Sequence, residues 1–328
     1  MDEALFGALL GSTLRVATPL IFCALAGLLA ERSGVIDIGL EGKMLFAAFV
    51  AGAAGAAWGS TVLALALALA MLVTIALSWL HGFACVSHRG DQVVSGVAIN
   101  IIAVGLTAVL GIAWFAQGGQ TPPVTPAVRL QALLPGAAAT LQGVPWIGPL
   151  LGPIVGDGLL SHNLLVYLAV ALVPAVWWLL YRTRFGLRLR AVGENPQMVD
   201  AAGVSVTRLR YAVLTLNGML CSLAGAYLVL AQNASFIPNM TAGRGFMALA
   251  AMIFGKWHPV GAFWACLLFG FLDAAAIRLQ GVRLPGIGEV PVQAIQALPY
   301  LLTVILLAGF IGKAVAPQAL GKPYLKEH

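Results

Sequence analysis

The chain has 328 residues, of which 60% are apolar and only 9% charged, and its mean hydropathy is +0.94. That composition lies far outside the range of soluble domains and predicts an all-α polytopic integral membrane protein. The formal net charge of +6 does not point to nucleic acid, because the basic residues cluster beside apolar spans instead of forming a stripe interleaved with aromatics.

Residues 3–13 read as a short apolar lead-in, and Leu14 to Ala30 as one membrane crossing interrupted by Pro19. The acids at Asp2 and Glu3 stand where a signal peptide needs a basic region, so no cleaved signal is expected. Next comes ERSGVIDIGLEGKM (31–44), which sets Glu31, Arg32, Asp37, Glu41 and Lys43 between two apolar segments with three glycines as spacing. Met44 to Trp58 is rich in small residues, the composition that lets helix backbones approach closely in a bilayer. Thr61 to Leu80 and Val93 to Ala116 are uncharged spans of bilayer length.

Residues 117–162 carry seven prolines, too many for a long regular helix, and read as an irregular external region with one short interfacial helix around Trp146 to Val155. Leu164 to Tyr181 re-enters the membrane, Tyr211 to Ala231 leaves it, Gly245 to Gly255 crosses or turns back within it, and Ala262 to Ile277 and Val292 to Gly312 complete the set. This is a nine-span bundle with its N-terminus outside. It leaves twelve basic residues on the cytoplasmic side against five outside, with Lys43 at the membrane edge. The four cysteines have no CxxC spacing and read as small core residues.

Six of the 18 basic residues fall within 182–210, a segment that cannot sit in lipid. Its middle, Asn195 to Ala202, has the pattern of a short surface helix, with Pro196 just inside the start and Gly203 placed to end it. Two Gly-Lys elements, 41–49 and 254–263, occupy comparable places in the two halves and suggest an inverted repeat with the pathway between them.

Ionisable and amide groups at membrane depth are costly and are functional candidates by default: Asp37, Glu41, Asn100 and Asn217. Asp37 and Glu41 admit two readings, an unwound segment lining a wet path or a structural salt bridge with Lys43. Glu31 and Arg32 read as a neighbouring surface pair, and Asp273 as snorkelling toward Arg278. The asparagines serve either as interhelical hydrogen-bonding groups or as solute ligands. No GxxxxGK[ST], HExxH or GxSxG pattern is present, so the chain is read as a transport subunit and not an enzyme. An ion-coupled secondary transporter and a membrane-embedded enzyme remain as readings from other classes.

Residues 17–51 (ATPLIFCALAGLLAERSGVIDIGLEGKMLFAAFVA) and 185–206 (FGLRLRAVGENPQMVDAAGVSV), with the helix that follows, resemble the permease subunit of bacterial ABC importers. The likeness is to the ribose and branched-chain amino acid permease superfamily, in the form of its nucleoside branch. It implies about nine to ten spans in a single transmembrane domain over 1–328, in the bacterial inner membrane. The implied partners are a cytoplasmic ATP-binding subunit, a second homologous or identical permease and an extracytoplasmic solute-binding protein. No cofactor is expected in this chain, since the partner subunit binds ATP.

The resemblance also implies that Gly193, Glu194, Asn195, Pro196, Ala201, Ala202 and Gly203 dock on the ATPase as a coupling helix, and that residues 34–39 lie near the path. The solute implied is a nucleoside, with a ribose-type sugar as the alternative. Compared with the sugar permeases it resembles, the chain is expected to lack their extra first helix.

Overall fold

The computed structural model describes residues 3–58, 63–134, 152–279 and 315–325, together with short pieces at 136, 140–141, 283–284, 288–289, 297–298, 301 and 305. In chain order the helices are α1 (Glu3–Arg32), α2 (Leu40–Trp58), α3 (Leu63–Gly82), α4 (Gln92–Phe115), α5 (Leu164–Arg182), α6 (Arg184–Glu194), α7 (Pro196–Ala201), α8 (Val206–Tyr227), α9 (Arg244–Phe254) and α10 (Pro259–Leu279). Wide π turns extend α3 through Phe83–Ser87 and α8 through Leu228–Gln232, and another covers Gly152–Leu160. Arg283–Leu284 and Gly288–Glu289 form a two-residue antiparallel ladder.

Seven of these segments are long and apolar enough to cross a bilayer: 6–32, 40–57, 63–87, 92–115, 164–182, 206–232 and 259–278. α9 is the shorter apolar piece expected at 245–255. The ninth expected span, 292–312, falls almost wholly outside the described residues, as does most of the helix placed around Trp146. Its last residues, from Gly152, belong to the helical stretch Gly152–Leu160.

α1 and α8 form the centre of the bundle: 83% and 78% of their spanning windows are buried, against 22% for α3 and α4 and 33% for α5 and α10. The outer helices therefore present apolar faces to lipid, including Val94, Ile101 and Val109 of α4. All four cysteines are buried and free.

Two local expectations change. The lead-in at 3–13 is continuous with the first crossing, so α1 is one helix of 30 residues with Pro19 inside it. Pro19 lacks the N–H that would bond the Arg15 carbonyl, and that carbonyl instead accepts from the Tyr227 hydroxyl (3.1 Å) and from Gln232 Nε2 (2.9 Å). Tertiary partners satisfy the freed group, which is the condition for proline within a membrane helix. α2 also starts earlier than expected, at Leu40, so Gly42 and Lys43 lie in a helical first turn. The matching Gly255 and Lys256 lie instead in the turn between α9 and α10, with Lys256 at φ +54°. The two Gly-Lys elements thus have different backbone settings.

Candidate functional site

Among the described residues, buried charge gathers from the end of α1 to the first turn of α2, at Glu31, Asp37, Glu41 and Lys43. α1 closes with the Gly34 amide on the Glu31 carbonyl (2.9 Å) and that of Val35 on Ala30 (3.1 Å). The turn that follows brings Asp37 against Lys43, an ion pair at 2.5 Å whose side chains are both fully buried. Lys43 also donates to Asn217 Oδ1 of α8 (3.0 Å), which accepts from Ser78 of α3 (3.1 Å), while Asn217 Nδ2 donates to the Ala26 carbonyl of α1 (3.1 Å). Asp37 Oδ1 accepts from the Gly39 amide (3.1 Å). The network joins α1, α2, α3 and α8 around one balanced pair. Removing one partner from such a pair costs about 3–5 kcal/mol, because the other charge is left uncompensated. Lys43, expected at the membrane edge, is instead among the largest fully buried side chains.

Glu41 has a different task. Its carboxylate accepts from the Gly243 amide (2.8 Å) and the Gly245 amide (2.6 Å) at the start of α9. Gly243, the residue preceding α9, has no side chain to cap the helix, so the acid of α2 fills the role across the bundle and meets the positive end of the helix. Asn100 of α4 accepts from the Gly42 amide (2.7 Å) and donates to the Ile38 carbonyl (3.1 Å), fixing the 33–43 segment from the other side.

A cavity of about 420 Å³ opens among α2, α4, α9 and the loop before α9, with Glu41, Asn100, Asn239, Thr241, Gly243 and Phe246 in its wall. Asp37 and Asn217 lie behind this wall and not in it. Of the two readings of the acids, the salt bridge describes Asp37, and Glu41 is both a helix cap and a cavity residue. The wall is largely apolar, with one acid, two asparagines, a threonine and a phenylalanine among its residues.

Glu31 and Arg32 are not a surface pair. Glu31 accepts from Trp257 Nε1 (2.5 Å), and Arg32 Nε donates to the Trp257 carbonyl (2.9 Å), so both clasp the turn between α9 and α10. No ion pair joins Asp273 to Arg278 among the described residues. Residue reading missed Ser78, His81 and Gln92. His81 bonds the Ile36 carbonyl (2.9 Å) and Ser95 (3.0 Å), and Gln92 accepts from the Ile36 amide (2.6 Å). A histidine and a glutamine flanking the short polar stretch 82–91 between two apolar spans were the available signal.

The second candidate region is α6 and α7. Thr183 caps α6 by accepting from the Gly186 amide (3.1 Å), and Asn195 caps α7 by accepting from the Met198 amide (3.1 Å), with Pro196 in the first turn. Gly203 closes α7 at φ +80°, a left-handed conformation that suits glycine, and its amide bonds the Asp200 carbonyl (2.8 Å). Val199 packs inward. Asn195, Gln197, Met198, Ala201, Ala202 and Gly203 are exposed, Met198 at 69%.

Gly193 and Glu194 differ from their neighbours. A Cβ at Gly193 would come within 2.2 Å of the Arg32 carbonyl oxygen, so this glycine permits close packing of α6 on the end of α1. Its carbonyl accepts from the Ala319 amide (2.8 Å), and exposed Glu194 accepts from the Gln318 amide (3.4 Å), holding the C-terminal segment alongside. Arg190 stacks on Tyr181 of α5 (4.8 Å), and Arg182 on Trp177 (5.8 Å). Arg210, counted with the basic loop, is buried and donates to the Ser33 carbonyl (3.2 Å).

Comparison with known proteins places this arrangement. The family described as the branched-chain amino acid transport system permease component matches residues 9–309. The guanosine ABC transporter permease protein NupQ of Bacillus subtilis is 38% identical over 319 residues, covering 96% of this chain and 95% of the relative. The nucleoside ABC transporter permease protein NupC of Lactococcus lactis is 38% identical over 317 residues, 94% of each chain. TsgC13 of Haloferax volcanii, a permease provisionally assigned to glucose, is 31% identical over 345 residues, 97% of this chain and 98% of its own. No solved structure matches. A buried polar core within seven apolar spans, a lateral cavity and a full-length match to named permeases lead to one conclusion: this chain is a multi-pass membrane protein of the branched-chain amino acid transport system permease family, the permease subunits of ABC transporters.

Proposed function

We propose that this subunit forms the path by which an ATP-driven importer takes up a nucleoside, with Glu41 and Asn100 on the path and Asp37 and Asn217 holding its wall from behind. The observation that supports the reading is the cavity beside α9, whose wall combines Phe246 with the polar residues Glu41, Asn100, Asn239 and Thr241. That pairing of stacking and amide groups suits a nucleobase, and the relatives NupQ and NupC are named for guanosine and nucleosides. ATP is bound and hydrolysed by a separate subunit. The further partners are a second permease and an extracytoplasmic solute-binding protein. In this reading, residues 182–210 face the cytoplasm as part of one transmembrane domain, residues 117–162 lie outside, and Asn195 to Gly203 dock on the ATPase, with Gly193 and Glu194 bracing that helix. TsgC13 keeps a sugar as the second reading.

Uptake of labelled guanosine by cells expressing the whole transporter tests the assignment, with unlabelled nucleosides, ribose and glucose as competitors. Nucleosides are expected to abolish uptake and sugars to leave it unchanged. Uptake of labelled glucose that nucleosides do not inhibit would move the chain to the sugar reading.

A further inference from the structure

α9 is a rod held at both ends by other parts of the chain. It has 11 residues, so its length is about 16 Å at 1.5 Å per residue, roughly half of a hydrocarbon core about 30 Å thick. At its start Glu41, in the wall of the solute cavity, accepts from the Gly243 and Gly245 amides. At its end Trp257 is buried and gripped twice, by Glu31 on its indole N–H (2.5 Å) and by Arg32 on its carbonyl (2.9 Å). Left-handed residues bound the rod on both sides: Ala242 (φ +48°) and Gly243 (φ +80°) before it, Lys256 (φ +54°) and Trp257 (φ +52°) after it. That conformation is costly for a residue with a Cβ and persists only where the surroundings impose it, as the clasp on Trp257 does. The buried face of α9 carries Gly245, Met247, Ala248, Ala251 and Met252, small or unbranched side chains that adapt to a shift against a neighbouring helix.

Two routes lead from α6 to the turn at the end of α9. Gly193 packs so closely on α1 that a Cβ there would stand 2.2 Å from the Arg32 carbonyl oxygen, and the Arg32 side chain reaches on to Trp257. One turn earlier on α6, Arg190 stacks on Tyr181 of α5 (4.8 Å), and that ring lies 5.4 Å from the ring of His258. Residues 190 and 193 of one helix thus converge, through Tyr181 and Arg32, on the consecutive residues 258 and 257. Only Asn195 separates α6 from α7.

We propose that α9 is the strut that carries ATPase-driven movement from α7 to the solute cavity, with Arg32 as the positioning residue at its base. The proposal rests on the docking helix and the path assigned above. A displacement of α7 moves α6, whose residues bear on the Trp257–His258 turn. α9 closes its backbone hydrogen bonds within itself, so it moves as a unit and passes the displacement to Gly243 and Gly245, and through them to Glu41 and the cavity wall. Arg32 does not line the cavity and acts only through Trp257.

The assembled transporter, held in lipid nanodiscs, is labelled with an environment-sensitive fluorophore at Ala242→Cys, an exposed position in the cavity wall beside the start of α9. The four native cysteines are buried. Trapping the ATPase with ATP and vanadate is expected to shift the emission when Arg32 is present. Arg32→Met removes the donor to Trp257, and the shift is expected to be lost while the ATPase still co-purifies and hydrolyses ATP. Arg32→Lys, which keeps a cationic donor, is expected to restore the shift in part. No shift with Arg32 in place, a full shift in Arg32→Met, or loss of the ATPase from a folded Arg32→Met subunit overturns the proposal. If Arg32→Met does not fold, Trp257→Phe, which keeps a ring and removes the donor to Glu31, decides by the same readout. This assay needs no solute, so its failure is separate from failure of the nucleoside assignment. With guanosine as the probe, maximal uptake by Arg32→Met is expected to fall about tenfold, the ratio that roughly one hydrogen bond confers, at an unchanged half-saturating concentration. A raised half-saturating concentration at an unchanged maximal rate would place Arg32 in solute binding and overturn the proposal.

Discussion

The segments 31–43 and 183–203 look alike as sequence, since each interrupts apolar spans with charge and glycine, yet the fold treats them in opposite ways. The first is drawn inside. Asp37 and Lys43 are fully buried, and Lys43 donates to Asn217 of α8, 174 residues away in the chain, which in turn accepts from Ser78 of α3. The second stays at the surface, and its two helices are capped by their own preceding residues, Thr183 and Asn195. One region is held by bonds between helices distant in sequence, whereas the helices of the other are capped locally and leave Met198, Ala201 and Ala202 exposed. In the proposed function the buried region is a rigid wall beside the solute path, and the exposed one is the docking element for the ATPase.

The largest expected effect comes from breaking the balanced charge. Lys43→Met leaves the Asp37 carboxylate without its cation, and the loss is expected to be about 3–5 kcal/mol. It should appear as a sharp fall in the midpoint of heat-induced aggregation of the purified transporter. Pairing it with Asp37→Leu should recover more than half of that loss, because the cost lies in the unpaired charge. A double variant no more stable than Lys43→Met would show that the network needs both groups for its geometry as well as for their charge.

Glu41→Gln acts at the boundary between wall and cavity. The amide can still accept from one of the two α9 amides but loses the charge, and hydrogen bonds to a charged group are worth about 1.5–3 kcal/mol. Uptake is expected to fall about tenfold, equivalent to 1.4 kcal/mol, while the ATPase still co-purifies. Full uptake at normal expression would remove Glu41 from the path.

The smallest effect on stability, and the sharpest contrast, is expected at Ala202→Trp. The position is exposed, so the folded subunit should change by no more than about 0.5 kcal/mol. Co-purification of the ATPase, or its stimulation by solute, is nevertheless expected to be lost. Wild-type values for both would reduce α7 to a topological anchor.

The outline of the bundle was legible in the residues because the bilayer imposes a local rule. About 20 apolar residues must make a span, and each span's backbone hydrogen bonds close within it. The expected ends of α4, α5, α9 and α10 accordingly fall within a few residues of those observed. α7 was legible for the same reason, since Asn195, Pro196 and Gly203 act within one turn of their own positions. The continuity of α1 through Pro19 could not be read this way, because Tyr227 and Gln232 supply the bonds that preserve it. Nor could the burial of Lys43, the cap that Glu41 places on α9, or the clasp of Glu31 and Arg32 on Trp257. A charge's place in a membrane protein depends on whether a counter-charge or a free amide meets it inside. In this chain those partners come from other helices, so hydropathy and local capping determined where the chain crosses, and only the packing of the helices decided which charges the core could hold.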